Sequence, residues 1–374
     1  MALKTYKLGE LIEPSDERNS DGKYGIDDVK GISIQKIFIE TKADMAGVSL
    51  TPYLLVKPDY FAYVTVTSRN GEKITLAHNK TSETYIVSSS YVVFRIKKAD
   101  ILLSDYLFIY FNRPEFDRFS RFNSWGSARE TFSWSDLCDI DITLPDKVTQ
   151  QKYVDIYESM VANQKSYEKG LDDLKLTCDA FLDKLKKECP KKEIGKYIES
   201  CDYRNEDEKL TIENLRGIST EKEFINTKAD MMDVSLKNYK IVKQNEFVYV
   251  ADTSRRGDKI ALGFNDSVSN YLVSSIYTVF KVKDTGLLNP QYLMMFFTRN
   301  EFDRYARFNS WGSARETFDW VEMNSVQIPI PDISVQRSIA DIYKVYTERK
   351  RINEQLKQQI KDICPILIKG SLEE

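Results

Sequence analysis

The chain has 374 residues and a formal net charge of −3 from 54 basic and 57 acidic side chains, with 42% hydrophobic and 30% charged residues. That balance describes a soluble globular protein of two or three domains and excludes a strongly basic nucleic-acid-coating protein, although only the local charge on one face matters to a phosphate backbone. No stretch approaches the roughly 18 apolar residues of a membrane span, and the opening MALKTYKLGE lacks a signal-peptide core, so a cytoplasmic protein without membrane contact is expected.

In chain order, YLLVKPDYFAYVTVTS (53–68) reads as β-rich, with a turn at Lys57-Pro58-Asp59. SRNG (68–71) is a turn signal, and SSSYVVFRIK (88–97) returns to strand. SDYLFIYFNRPEFDRFS (104–120) is expected to be helical, capped by Ser104. DIDITLP (139–145) closes the unit as a strand stopped by proline. From 150 to 188 the residues Tyr157, Met160, Gln164, Tyr167, Leu171, Leu174, Cys178, Phe181 and Leu185 recur at steps of three and four, a heptad seam on a helix of roughly 55 Å.

The whole series then repeats at an offset of 186. GISIQKIFIETKADM (31–45) meets GISTEKEFINTKADM (217–231), and TSRNGEKI (67–74) meets TSRRGDKI (253–260). Residues 115–134 and 301–320 differ only at 119/305, 120/306 and 133/319, so 17 of 20 positions are identical. The second helical stretch in 104–120 returns as NPQYLMMFFTRNEFDRYA (289–306), with Asn289 as N-cap and Pro290 in the first turn. The second long helix repeats the seam spacing at Ile342, Val345, Arg349, Ile352, Leu356, Gln359, Ile363 and Ile366, and Pro190 and Pro365 are read as end or kink marks.

The fold class is therefore α/β (α+β): two tandem, similar mixed domains alternating with two long helices. The simplest partner for each apolar stripe is the other, giving an antiparallel coiled coil and a pseudo-twofold frame. The boundaries expected are 1–147 and 191–333 for the domains, and 148–190 and 334–374 for the helices. The residues expected to pair the helices are Tyr157, Met160, Tyr167, Leu171, Leu174, Phe181, Leu185, Ile342, Val345, Ile352, Leu356, Ile363 and Ile366. A twofold frame suits a target with its own dyad, either duplex DNA or two identical protein subunits.

Catalytic chemistry is hard to place. The five cysteines show no CxxC spacing, the only histidine is His78, and its counterpart in the repeat is Phe264. There is no phosphate-binding G-x-x-x-x-G-K-[ST] and no Gly-rich dinucleotide loop. No catalytic residue, metal or cofactor is expected, and the chain reads as a non-enzyme.

The layout resembles the specificity subunit of type I restriction–modification enzymes. The resemblance rests on GSARETFSWSDLCDIDITLP with QQKYVDIYESM (126–145, 150–160) and on GSARETFDWVEMNSVQIPIP with VQRSIADIY (312–331, 335–343), together with the openings LGELIEPSDERN and IGKYIESCDYRN. It covers essentially the whole chain. It departs from an even pattern at Pro145, one proline where the second copy carries Pro329 and Pro331. The resemblance implies two target recognition domains that each read half of a bipartite double-stranded DNA site. It implies helices that act as spacers and dock two methyltransferase (modification) subunits, with motor–nuclease (restriction) subunits completing the complex.

Arg and Lys suit guanine or phosphate, and Asn suits adenine. The DNA-contacting candidates in the turn are therefore Arg69, Asn70 and Lys73, matched by Arg255, Arg256 and Lys259. Lys42 and Lys228 of the TKAD segments join them. In the repeated polar stretch they are Arg118, Arg121, Asn123, Ser124, Ser127 and Arg129, matched by Arg304, Arg307, Asn309, Ser310, Ser313 and Arg315. Phe122, Trp125, Phe132 and Trp134 are expected to anchor that stretch in the domain core. Two rivals stay open: a DNA-reading subunit of another restriction–modification type, and a coiled-coil scaffold that touches no DNA. The similarity of the copies predicts similar half-sites, in inverted order, across a fixed gap.

Overall fold

The structure is a computed structural model, and it describes residues 3–373 apart from 42, 69, 70, 72, 128, 228–233, 255 and 256. The chain forms two compact units. One comprises residues 1–167 and 352–374, the other residues 168–351.

In the first unit, short strands leave most of the stabilisation to side-chain packing. The central sheet has the order β2-β9-β6-β7, built from β2 (Ile12–Pro14), β6 (Phe61–Val64), β7 (Leu76–His78) and β9 (Tyr91–Ile96), all antiparallel. Three two-stranded ladders surround it: β1 (Lys4–Lys7) with β10 (Asp141–Leu144), β3 (Lys30–Ile32) with β4 (Phe38–Glu40), and β5 (Leu54–Val56) with β8 (Tyr85–Val87). Alternation along β6 and β9 sends Phe61, Tyr63 and Phe94 to one face, where they meet Tyr106, Phe111, Phe116 and Phe132 in a single core. Phe61 and Phe94 lie stacked with centroids 5.0 Å apart.

The helical segment expected over 104–120 is broken. α1 covers Ser104–Phe111 and α2 covers Pro114–Phe122, with Arg113 between them in an extended conformation. Steric conflict between a proline ring and the preceding residue disfavours the helical region at Arg113, and Pro114 then opens α2. Ser104 does not cap α1, because its hydroxyl donates to Asp59 Oδ1 at 2.5 Å. A short α3 (Trp134–Cys138), capped by Ser133, leads into β10 and then α4 (Lys147–Glu188).

The second unit repeats this set. Its central sheet has the order β12-β19-β16-β17, from β12 (Ile198–Cys201), β16 (Glu246–Tyr249), β17 (Leu262–Phe264) and β19 (Thr278–Val282). Its ladders pair β11 (Lys191–Glu193) with β20 (Gln327–Pro329), β13 (Arg216–Ile218) with β14 (Phe224–Asn226), and β15 (Lys240–Val242) with β18 (Tyr271–Val273). The helices are α5 (Pro290–Phe297), α6 (Asn300–Phe308), α7 (Trp320–Asn324) and α8 (Ile333–Glu373). Asn289 caps α5 by accepting from Tyr292 N at 3.0 Å. The stack of Phe247 on Phe280 at 4.9 Å repeats the one in the first unit.

Both long helices contribute to both units. In the first unit, Val154 and Tyr157 of α4 share a core with Cys364, Leu367 and Ile368 of α8. Further along, Gln164 Nε2 donates to Asn353 Oδ1 at 2.9 Å, so the two segments run antiparallel. Met160 and Tyr167 are half-buried, as are Ile352, Leu356 and Ile363. In the second unit Leu171, Cys178, Leu182 and Leu185 are buried, Leu174 and Phe181 half-buried, and Ile339, Ala340 and Ile342 pack into the same core as Cys178 and Leu182.

Two residues expected on the pairing seam are displaced from it. Val345 is 49% exposed and Ile366 is 63% exposed. The covered face of α8 also takes in Tyr343, Tyr346, Asn353, Ile360, Cys364 and Leu367, and it includes a buried amide that an apolar count passes over. Pro365 does not end α8, which continues to Glu373, whereas α4 stops two residues before Pro190.

Candidate nucleic-acid interface

The twin polar stretches follow α2 and α6, and backbone hydrogen bonds fix each one at its neck. Trp125 and Thr131 exchange both N–H···O bonds, at 3.1 and 3.0 Å. Phe132 N then donates to Thr65 O at 2.8 Å, and Thr67 N to Glu130 O at 3.0 Å. In the second copy Trp311 and Thr317 exchange the same bonds, and Thr253 N donates to Glu316 O at 3.0 Å. Only glycine fits inside the neck. Gly126 has φ +143° and Gly312 φ +140°, and a Cβ at either would collide with the carbonyl oxygen of Arg129 or Arg315.

The turn that carries the other candidates is held beside this loop at both ends. Thr67, at its start, is bonded to the loop, and Ile74 N, at its end, donates to Asp117 Oδ1 of α2 at 3.3 Å. Ile260 N donates likewise to Asp303 Oδ1 of α6 at 3.1 Å. Those aspartates anchor a buried ion pair in each unit. Lys36 Nζ lies 2.7 Å from Asp117 and donates to Phe111 O at 2.5 Å, while Lys222 Nζ pairs with Asp303 and donates to Ile260 O at 2.6 Å. Burial pushes both ammonium pKa values down, and the facing carboxylate opposes the shift. In each unit the two ends of the turn are thus tied to the polar loop and its preceding helix, above a charge pair that solvent barely reaches.

The expected DNA-contacting residues separate into three groups. Lys42, Arg69, Asn70, Lys228, Arg255 and Arg256 lie outside the described residues. Asn123, Ser124, Asn309 and Ser310 serve the helix ends. Asn123 Nδ2 donates to Phe119 O and Asn309 Nδ2 to Tyr305 O, both at 2.9 Å, while Ser124 and Ser310 are buried and donate to Ser120 O and Ala306 O at 2.6 Å. These serines correct the expectation of polar tips, since each hydroxyl is spent on a backbone carbonyl one turn back. Arg121 and Arg307 are half-buried and pair with Glu130 and Glu316.

The remaining residues reach solvent. Ser127, Arg129, Ser313 and Arg315 are exposed, and among the described residues neither Arg129 nor Arg315 makes an ion pair. Arg304 is exposed and equally unpaired among the described residues, whereas Arg118 pairs with Glu115 at 3.3 Å. Lys73 is half-buried with no ion pair among the described residues, and Lys259 pairs with Glu221 at 2.6 Å. The acids at the foot of each loop are matched internally, which leaves arginine as its free charge.

The aromatic residues divide differently from expectation. Phe132 and Phe318 are fully buried, and Trp134 and Trp320 half-buried against Phe94 and Phe280. Phe122 and Phe308, however, are each 78% exposed, and Trp125 and Trp311 are 65% and 62% exposed. They do not anchor the loop. The neck bonds and Phe132 or Phe318 do that, freeing the other two rings of each copy.

A residue outside the loop also fixes the site. Gln150, fully buried at the start of α4, accepts from Leu103 N at 3.0 Å and donates to Ile101 O and Pro145 O at 2.8 and 2.9 Å. Gln336 repeats this with Asn289 N, Leu287 O and Pro331 O at 2.9, 3.0 and 2.8 Å. One side chain thereby ties the closing strand, the first helix of the bundle and the long helix together.

Residues 185–362 match the family model of the type I restriction modification DNA specificity domain. Residues before 185 repeat the matched half in sequence and in strand order. The second half of the chain is thus similar to that specificity domain, and the first half is similar to the second. Among curated relatives, the type I restriction enzyme HindI specificity subunit of Haemophilus influenzae is 26% identical over 146 residues, covering 38% of this chain and 31% of the relative. The matched stretch therefore spans about a third of that protein's length. The type I restriction–modification system S subunit from M. genitalium has the same fold, with a TM-score of 0.62 at 10% identity over 99% of this chain and 96% of that one. The HsdS subunit from Thermoanaerobacter tengcongensis aligns over 99% of this chain and 96% of its own at 12% identity, with a TM-score of 0.37, too low to weigh. No helix among the described residues is long and apolar enough to cross a membrane.

Proposed function

We propose that the chain is the DNA-reading subunit of a type I restriction–modification complex. Each unit reads one half of a bipartite duplex site. The long helices set the gap between the half-sites and dock two methyltransferase subunits, and motor–nuclease subunits complete the complex in the cytoplasm. One observation carries this reading: in both units the glutamate of the polar loop is paired from within, Glu130 with Arg121 and Glu316 with Arg307, while Arg129 and Arg315 stand exposed and, among the described residues, without an ion pair, free to meet phosphate or guanine. By sequence alone, Lys42, Arg69, Asn70, Lys228, Arg255 and Arg256 remain candidate contacts. Co-expression with the cognate modification subunit tests the reading. The complex is expected to co-purify and to methylate adenine at one bipartite motif, and modification subunit without this chain to leave that motif unmethylated. Methylation independent of this chain would contradict it.

A further inference from the structure

Phe122, Trp125, Phe308 and Trp311 are 62–78% exposed and belong to none of the buried cores among the described residues. Each unit has a dense aromatic core nearby, yet these rings stand in solvent on a rigid support. Phe122 and Phe308 end capped helices, and the Trp125 and Trp311 backbones are held by a two-bond bridge. Most exposed apolar side chains of one copy lack an exposed apolar counterpart in the other: Val148 corresponds to Ser334, Val268 to Ser82 and Ile276 to Ser90. Among the described residues, Phe122/Phe308 and Trp125/Trp311 are the aromatic pairs strongly exposed in both copies. An unpaired arginine follows each tryptophan by four residues, so the apolar rings and a free cation share one loop.

We propose that Phe122 with Trp125, and Phe308 with Trp311, are aromatic wedges that unstack a base step in each half-site of the bound duplex. The inference rests on the DNA-reading function above. Flat rings on a preorganised support gain most against the faces of bases, and Arg129 or Arg315 supplies the phosphate contact that holds the ring at the groove. Charge decides for DNA over a protein partner, because the free charge of the described loop is cationic. An unstacked step near the target also lowers the cost of extruding a base for methylation.

The test uses the complex with its modification subunits and duplexes carrying the mapped site, with 2-aminopurine placed in turn at each non-target position. One position in each half-site is expected to brighten on binding. Trp125→Ala with Trp311→Ala should abolish that signal and weaken binding roughly 5- to 100-fold, with thermal unfolding unchanged. Arg129→Ala with Arg315→Ala should retain the signal at saturating protein. Site-specific binding with unchanged affinity and unchanged 2-aminopurine emission in the tryptophan variant would overturn the wedge and leave the DNA reader standing. Loss of the modification subunit from the tryptophan variant would place a protein on these rings and overturn the wedge. Failure of the wild-type complex to bind any duplex would overturn both readings.

Discussion

Gly126 and Gly312 show how a single residue decides whether the loop exists. Alanine at Gly312 faces both a positive φ and a backbone oxygen that cannot withdraw without opening the Trp311–Thr317 bridge. Gly312→Ala is therefore expected to destabilise the second unit by about 2 kcal/mol or more, measured by urea unfolding, because strain and a lost bridge add. Arginine carries the other prediction at this scale. If Arg129 and Arg315 each neutralise one phosphate, replacing both by alanine should make the slope of log K against log salt shallower by about 2. An unchanged slope and affinity would remove them as major contacts. The sequence had singled out both arginines, since charge and position were visible in the repeat. It could not distinguish Ser124 from Ser127, because whether a hydroxyl faces a helix carbonyl or solvent depends on where α2 ends. The exposed Phe122 and Trp125 were misjudged for a related reason: aromatic residues beside a core are usually part of it, and only the neck hydrogen bonds show that the loop needs no further anchor.

At the scale of elements, the same fold is secured by side chains that sequence patterns place but do not explain. Gln336→Ala would leave Asn289 N, Leu287 O and Pro331 O without their partner, and it is expected to lower stability by at least about 2 kcal/mol in thermal or urea unfolding. The start of α6 offers a pH signature. Arg299 spans Asp183 of α4 and Glu301 at 2.8 and 2.9 Å, and its hydrogen bond is the main cause that holds the Glu301 carboxyl down to about 2 from 4.5. A depressed carboxyl stabilises the fold above its unfolded value, and that contribution is lost as pH falls from 4.5 towards 2. Arg299→Ala should flatten the acid limb of the stability curve in that window, and an unchanged limb would show that the pair is unimportant. Short strands, alternation and the long helices were all legible. The break between α1 and α2 was signalled by Pro114 in one copy, but Asn300 stands there in the other, where Arg299 is nevertheless extended. A heptad count passes over Asn353 of α8, a buried amide matched to Gln164, because it looks for apolar side chains on a seam.

The whole molecule is governed by its duplication. Two units with the same strand orders, the same buried lysine–aspartate pair and the same loop neck should place similar side chains on DNA, so the two half-sites should resemble each other. The copies also differ. His78 of β7 stacks on Phe61 at 4.3 Å and bonds Asp59, whereas Phe264 fills the same slot against Phe247 at 4.7 Å, and Asn70 corresponds to Arg256 in the turn. The first difference is internal and should not alter reading, while the second falls in the turn that the sequence marks as a candidate contact and should make the halves unequal at a base or two. Methylome sequencing of a host with and without the complex tests the central claim most directly. The account predicts one new motif of two similar half-sites separated by a fixed gap. Two unrelated half-sites, or no motif that depends on this chain, would contradict it.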